Sequence, residues 1–149
     1  MLPQQPEVLI NTGLFRSAPI DLIERAIRMT LDEDGTIAEI SLALLADSEM
    51  QELNLRHLGK DSTTDVISFS LGGEGLVVGD VYVGFEQAIR QADELGIEVG
   101  EELARLAIHG TLHVLGYDHP EGPERSKSPM FQVQEQLLRN LLGSEVNDT

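Results

Sequence analysis

The apolar positions of the chain alternate between two periodicities. Val8 to Asn11 is a short β-rich run. Ile20, Ile23, Ile27 and Leu31 then recur at helical spacing, which predicts a helix with Ser17 as N-cap, Pro19 in its first turn and Asp34-Gly35 at its end. Ile40, Leu42 and Leu44 alternate with Glu39 and Ser41, as in a half-buried strand. Ser48 and Gln51 have the spacing of a capping box at the start of a helix through Glu52 and Leu53. Val66 to Ser70 and Val77 to Val83 read as a strand pair around the glycine-rich turn at 72–75. Phe85 to Leu95 predicts a helix with Phe85, Ala88, Ile89 and Ala92 on one face and Gly96 closing it.

From Gly100 to Leu115 the apolar positions Leu103, Leu106, Ala107, Val114 and Leu115 cover more than one stripe, which predicts a central, buried helix. Ser128 as N-cap, Pro129 at the first helical position and Gly143 as the stop frame a last helix carrying Val133, Leu137, Leu138 and Leu141. Helices mixed with about four strands predict an α+β fold with a mixed sheet, one domain over 1–149 and a frayed tail at 143–149. With 41% apolar residues, 4% aromatic residues and no Trp, the interior is built from Leu, Ile, Val and Ala, and stacking platforms for bases are scarce.

Ten basic residues against 26 acidic ones give a net charge of −16, which argues against a broad electrostatic grip on nucleic acid but leaves room for a small local basic patch. The absence of Cys removes disulfides, thiolate metal ligands and a Cys nucleophile, so a metal here requires His and carboxylate. No apolar run reaches the roughly 18 residues of a membrane span, and Met1 to Pro6 lacks the marks of a signal peptide, so the expectation is a soluble, cytoplasmic protein.

Three of the four histidines fall between residues 109 and 119. His109 and His113 are four apart on the predicted central helix and share a face. Gly116 can take a positive φ and turn the chain so that His119 reaches the same point. Three imidazoles with an open fourth position make a catalytic rather than a structural zinc site. The bland alternative, two core histidines and one on a loop, suits any one of them better than the set. The same H-x-x-x-H-x-x-G-x-x-H spacing belongs to metzincin proteases, whose general-base Glu follows the first His; here that position is Gly110, and Asp118 beside the third His is the nearest carboxylate.

The run Ile108 to His119 resembles the H-G-x-L-H-L-x-G-Y-D-H signature of the YbeY family of bacterial metal-dependent endoribonucleases, with Val114 in place of Leu. Leu53-Asn54, Thr64-Asp65-Val66-Ile67-Ser68-Phe69, Gly79-Asp80-Val81 and Met130 extend the resemblance from about Leu42 to Leu142. The resemblance implies an α+β fold with the metal in a cleft between sheet and helices, one Zn2+ on His109, His113 and His119, and endonucleolytic cleavage of single-stranded ribosomal RNA in 3′-end maturation of the small-subunit rRNA and ribosome quality control. It also implies contacts with the small ribosomal subunit, a ribosome-associated GTPase and a PhoH-like ATPase. The chain departs from the family pattern at Leu58, where many members carry an Arg used for activity, and at Thr63 and Ser70, where proline is usual.

Cleavage of a phosphodiester needs positive charge beside its non-bridging oxygens. Arg56, next to Leu58, is the first candidate cation, and with His113 it forms the expected catalytic pair. Arg105, four residues before His109, and Lys60 are further candidates; His57 is a possible general acid or an ordinary surface imidazole. Asp65 and Ser68 are candidates either for supporting the metal ligands or for shaping the loop into the strand, and Asp80, inside a strand, is read as a solvent-facing or turn-bonding carboxylate. Two rival functions stay open: a zinc hydrolase of peptides or small molecules, and a non-catalytic ribosome assembly factor with structural zinc.

Overall fold

Strict alternation along Ala38–Leu45 (β2) buries Ala38, Ile40, Leu42 and Leu44 on one face, and the neighbouring strands are registered on it. In this computed structural model, which describes residues 5–58, 64–72, 75–120 and 122–147, Glu7–Asn11 (β1) and Val77–Gly84 (β4) pair with β2 in parallel. Val66–Ser70 (β3) pairs antiparallel with β4, giving a four-stranded mixed sheet in the order β1-β2-β4-β3 with β3 at one edge. The predicted hairpin and α+β class are present.

Five α-helices accompany the sheet: Ile20–Asp34 (α1), Asp47–Leu58 (α2), Phe85–Leu95 (α3), Val99–Val114 (α4) and Pro129–Asn147 (α5), with a 3-10 helix at Gly122–Lys127. Gly35 and Gly96 end α1 and α3 in the left-handed region, as their positions predict. α4 is buried nearly all round and touches α1, α3, α5, β3 and β4. Ile23, Ile27 and Leu31 of α1, Leu138 and Leu141 of α5 and the inner face of the sheet close over it in one cluster. No helix of the described residues is long and apolar enough to cross a membrane.

Two glycines set how closely α4 lies on the sheet. A Cβ on Gly79 would stand 2.4 Å from a methyl of Val114, and one on Gly110 would stand 2.5 Å from Val81 and 3.0 Å from the Ser68 hydroxyl. Helix and strands therefore approach to a distance that only absent side chains permit.

Several element ends differ from the sequence reading. Pro19, not Ser17, holds the N-cap position of α1, and no side chain caps it; residues 15–18 are occupied with their own turns, including Ala18 N to Phe15 O. The back-bond of a capping box is made by Glu49, whose Oε1 accepts from Ala46 N at 3.0 Å, so α2 begins before the Ser48-Gln51 pair. Ile20 and Ile89 lie at the margins of their stripes and stay exposed, while small Ala88 and Ala92 are the buried residues of α3. Ser128 caps α5 as predicted, its Oγ accepting from Phe131 N, but the helix runs through Gly143 to Asn147 because Gly143 keeps a negative φ.

Because the contact at Gly110 admits no side chain, Gly110→Ala is expected to cost roughly 1–3 kcal/mol despite the higher helix propensity of Ala. Urea denaturation measures this; an equal or higher stability would show that α4 and β4 can separate without loss.

Candidate metal centre

His109 and His113 occupy successive turns at the end of α4. The helix closes with Gly116 N on His113 O and Tyr117 N on Leu112 O, and Gly116 at φ 102° turns the chain back toward them. His119 then joins the pair: one ring nitrogen from each of the three lies within 4.8 Å of the others, and Nε2 of His109 and of His113 are 3.1 Å apart.

The other ring nitrogens fix the tautomers. His113 Nδ1–H donates to Tyr117 O at 3.0 Å and His119 Nδ1–H donates to Pro120 O at 3.1 Å; a carbonyl only accepts, so Nδ1 carries the proton in each, and Nε2 is the nitrogen left to face an ion. His109 Nδ1 meets Gln134 Oε1 at 2.6 Å. Gln134 is oriented because its Nε2 donates to Glu135 Oε2 at 3.0 Å, which leaves the amide oxygen for His109. Burial, only partly opposed by the Gln134 bond, holds His109 down at about 4, and burial together with the neighbouring His119 lowers His113. Three imidazoles that converge through one ring nitrogen each, with their Nδ1 atoms supported, are the donor set that suits a single zinc ion.

Beside the three rings opens a cavity of about 500 Å³ that follows β3: Thr64 to Ser70 form one wall, and Asp118 and Arg125 stand with the histidines on the other. Ser68 Oγ donates to Gly110 O at 3.0 Å, tying the strand to the helix, and Asp118 Oδ1 accepts from His119 N, which shapes the loop. Asp65 borders the cavity; Asp80 lies on the opposite face of the sheet, accepting from the Tyr82 hydroxyl at 3.4 Å.

The cations are placed differently from the sequence reading. Arg105 does not face the histidines; it is bound to Glu101, Glu102 and Glu135 and clamps α4 to α5. Arg56 pairs with Glu52 at 2.6 Å on α2, with its side chain 66% exposed, and is not among the residues lining the cavity. His57 lies edge-on to Phe69 at 5.2 Å, also outside the cavity lining, so the safer reading as a surface imidazole describes it. Leu58 ends α2, while Lys60 and Thr63 lie outside the described residues.

Two contributors went unread in the sequence. Gln134 interrupts the apolar stripe of Met130, Leu137, Leu138 and Leu141, and a buried amide in such a stripe signals a partner. Arg125 lies six residues beyond His119 with no pattern to mark it.

A family model described as "Endoribonuclease YbeY" matches residues 13–142. The chain belongs to the YbeY family. An endoribonuclease YbeY of Persephonella marina is 37% identical over 141 residues, covering 90% of this chain and 92% of the relative. The Aquifex aeolicus YbeY is 41% identical over 111 residues, covering 72% and 74% respectively. The solution structure of TM1509 from Thermotoga maritima superposes with a TM-score of 0.64 at 26% identity, covering 97% of this chain and 93% of that one. YbeY membership agrees with the histidine spacing and with the mixed sheet.

Arg105→Ala is expected to lower stability by about 3 kcal/mol, since it takes the cation from buried Glu102 and half-buried Glu135 and leaves them the amides of Gln91 and Gln134. Thermal or urea unfolding checks this, with zinc content of the folded fraction unchanged. A stable variant that loses only RNA cleavage would return Arg105 to the site.

Proposed function

We propose that this protein is a zinc-dependent endoribonuclease that cleaves single-stranded segments of ribosomal RNA, in 3′-end maturation of small-subunit rRNA and in ribosome quality control. The carrying observation is the convergence of His109, His113 and His119, with their Nδ1 atoms engaged, beside an open cavity along the sheet edge. Membership of the YbeY family supplies the substrate class. In this reading the three histidines hold the ion in the cleft beside α4. A zinc ion bound there supplies Lewis acidity, which acidifies water toward neutral pH and offsets charge on phosphoryl oxygens.

The protein's own groups do the rest. Gln134, Tyr117 O and Pro120 O engage the three Nδ1 atoms and so turn the three Nε2 atoms toward one place. Asp118, beside the third histidine on the cavity wall, is the carboxylate available to accept a proton from the attacking water. His113, in the middle of the set, is the catalytic histidine by virtue of its ligand role. Arg56 is the cation on the α2 side, and it reaches substrate only by leaving Glu52. The 1–149 chain acts as one domain in the cytoplasm, with the small ribosomal subunit, a ribosome-associated GTPase and a PhoH-like ATPase as partners.

Zinc-loaded protein offered ribosomal precursor RNA and casein in parallel tests the reading. RNA cleavage that a chelator abolishes, with casein intact, is the expected result; chelator-sensitive digestion of casein with RNA spared would reverse it. Replacing any one of His109, His113 or His119 by Ala should sharply reduce bound zinc while the helix content stays. Unchanged zinc in all three, by elemental analysis, would sink the ligand set. For Arg56→Ala the expected loss is under about 1 kcal/mol, as for an exposed ion-paired side chain. A loss of roughly 2–4 kcal/mol in single-turnover cleavage would make it a preorganised donor after all.

A further inference from the structure

We propose that the open edge of β3, facing Arg125 across the cavity, is the rail on which this chain seats an RNA strand: phosphates on the outward N–H groups and the guanidinium, 2′-hydroxyls on the outward carbonyls. The proposal rests on the RNA-cleavage reading and specifies how the substrate lies in that site.

The register gives the direction of each backbone group. Gly84 N donates to Asp65 O, and Leu71 N donates to Val78 O, so residues 65 and 71 form hydrogen-bonded pairs with β4. Antiparallel pairing alternates, which places Ile67 and Phe69 in the same class and turns the N–H and C=O of Val66, Ser68 and Ser70 away from β4. β3 ends the sheet, so no strand among the described residues receives these groups. All the residues from Thr64 to Ser70 line the cavity, as a groove running along an edge requires.

An exposed edge of unpaired donors and acceptors is a hazard that proteins usually cover or blunt. Among the described residues nothing pairs with this one where it borders the cavity of the three histidines. Its outward N–H groups recur about every 7 Å along the strand and alternate with carbonyls. An RNA strand presents the complementary alternation of phosphate acceptors and 2′-hydroxyl donors, and sheet edges serve elsewhere as anion sites. Backbone donors carry no net charge, which suits a chain at −16 with only ten basic residues.

Arg125 supplies the opposite wall. Its carbonyl is fixed by Ser128 N at 3.2 Å and Ser128 Oγ at 2.7 Å, with Ser128 buried, so its place on the wall is set. Its guanidinium has no hydrogen-bond or ion-pair partner among the described residues, whereas Arg28, Arg56, Arg90 and Arg105 each hold a carboxylate. It borders both the cavity and the recess behind His109 and His119. Arg125, the one unengaged cation lining the cavity among the described residues, with a ladder of neutral donors across from it, favours a phosphodiester strand over an extended peptide.

The test measures binding of an unstructured oligoribonucleotide by fluorescence anisotropy with zinc-loaded full chain, separately from cleavage. Ser70→Pro deletes one outward N–H without touching the ladder. Arg125→Ala deletes the cation and keeps the carbonyl that holds Ser128. Each should raise Kd about ten-fold with zinc content and Tm unchanged. Arg125→Ala should also flatten the salt dependence by about 0.7 in log Kd per log salt, while Ser70→Pro leaves that slope alone. Arg125→Lys should recover part of the affinity. DNA of the same sequence should bind about ten-fold more weakly than RNA, and Arg28→Ala should match wild type. Wild-type affinity in both Ser70→Pro and Arg125→Ala overturns the rail, and RNA cleavage by the wild type in the same preparation would leave the proposed function standing. An extended peptide that competes with RNA, and whose binding Ser70→Pro weakens while Arg125→Ala does not, would also overturn it by assigning the edge to β-strand addition. Weakened RNA binding in both variants of a protein that cleaves no RNA would uphold the rail and refute the function.

Discussion

The contact on which the rest of the structure depends is the close approach of α4 to β3 and β4. It exists because Gly79 and Gly110 offer no side chain where Val114, Val81 and Ser68 need the space. A helix usually stands off a sheet by the depth of its side chains; here one turn of α4 lies against the strands, and the Ser68 hydroxyl reaches Gly110 O. That proximity puts the last two turns of α4, with His109 and His113, at the level of the edge strand. The histidines and the β3 edge share a cavity because the glycines do not fill it.

Charge is distributed with the same consequence. With 26 acidic residues against ten basic ones, half of the eight guanidiniums, those of Arg28, Arg56, Arg90 and Arg105, are held by carboxylates. Arg105 holds two helices together and stiffens the base of α5, from which Gln134 reaches His109. Glu135 serves both, accepting from Arg105 and from Gln134, so the ion cluster and the histidine support are one network. Electrostatic recognition of RNA is left to the few cations outside such pairs and to uncharged donors.

What the sequence made legible followed from periodicity and from fixed-φ residues. The alternation in β2, the hairpin, the limits of α3 at Gly96 and the buried α4 are all consequences of local pattern, as is the convergence of three histidines through Gly116. The misreadings share a cause: side chains that satisfy a local rule lost to tertiary partners. Ser17 and Ser48 have cap chemistry, but the chain turns before one and Glu49 bonds ahead of the other. Arg105 has the spacing of a ligand-face residue, yet at its own turn of α4 that face meets Glu135 of α5. Gln134 and Arg125 come from a helix and a turn beyond the motif, and no spacing within the motif points to them.

Gly110 links the packing to the chemistry. In the protease pattern with the same histidine spacing, this position carries the carboxylate that takes a proton from water. Reading the sequence, its absence is a missing functional group. In the structure it is a steric requirement, because even a methyl there would stand 2.5 Å from Val81. A glutamate would have to push α4 off the sheet and carry both histidines away from the β3 edge. The geometry that assembles the site is thus incompatible with the protease's base at that position, and a proton acceptor has to come from the cavity wall, where Asp118 stands. A phosphodiester, whose cleavage is governed by charge stabilisation and alignment, fits those terms better than a peptide bond.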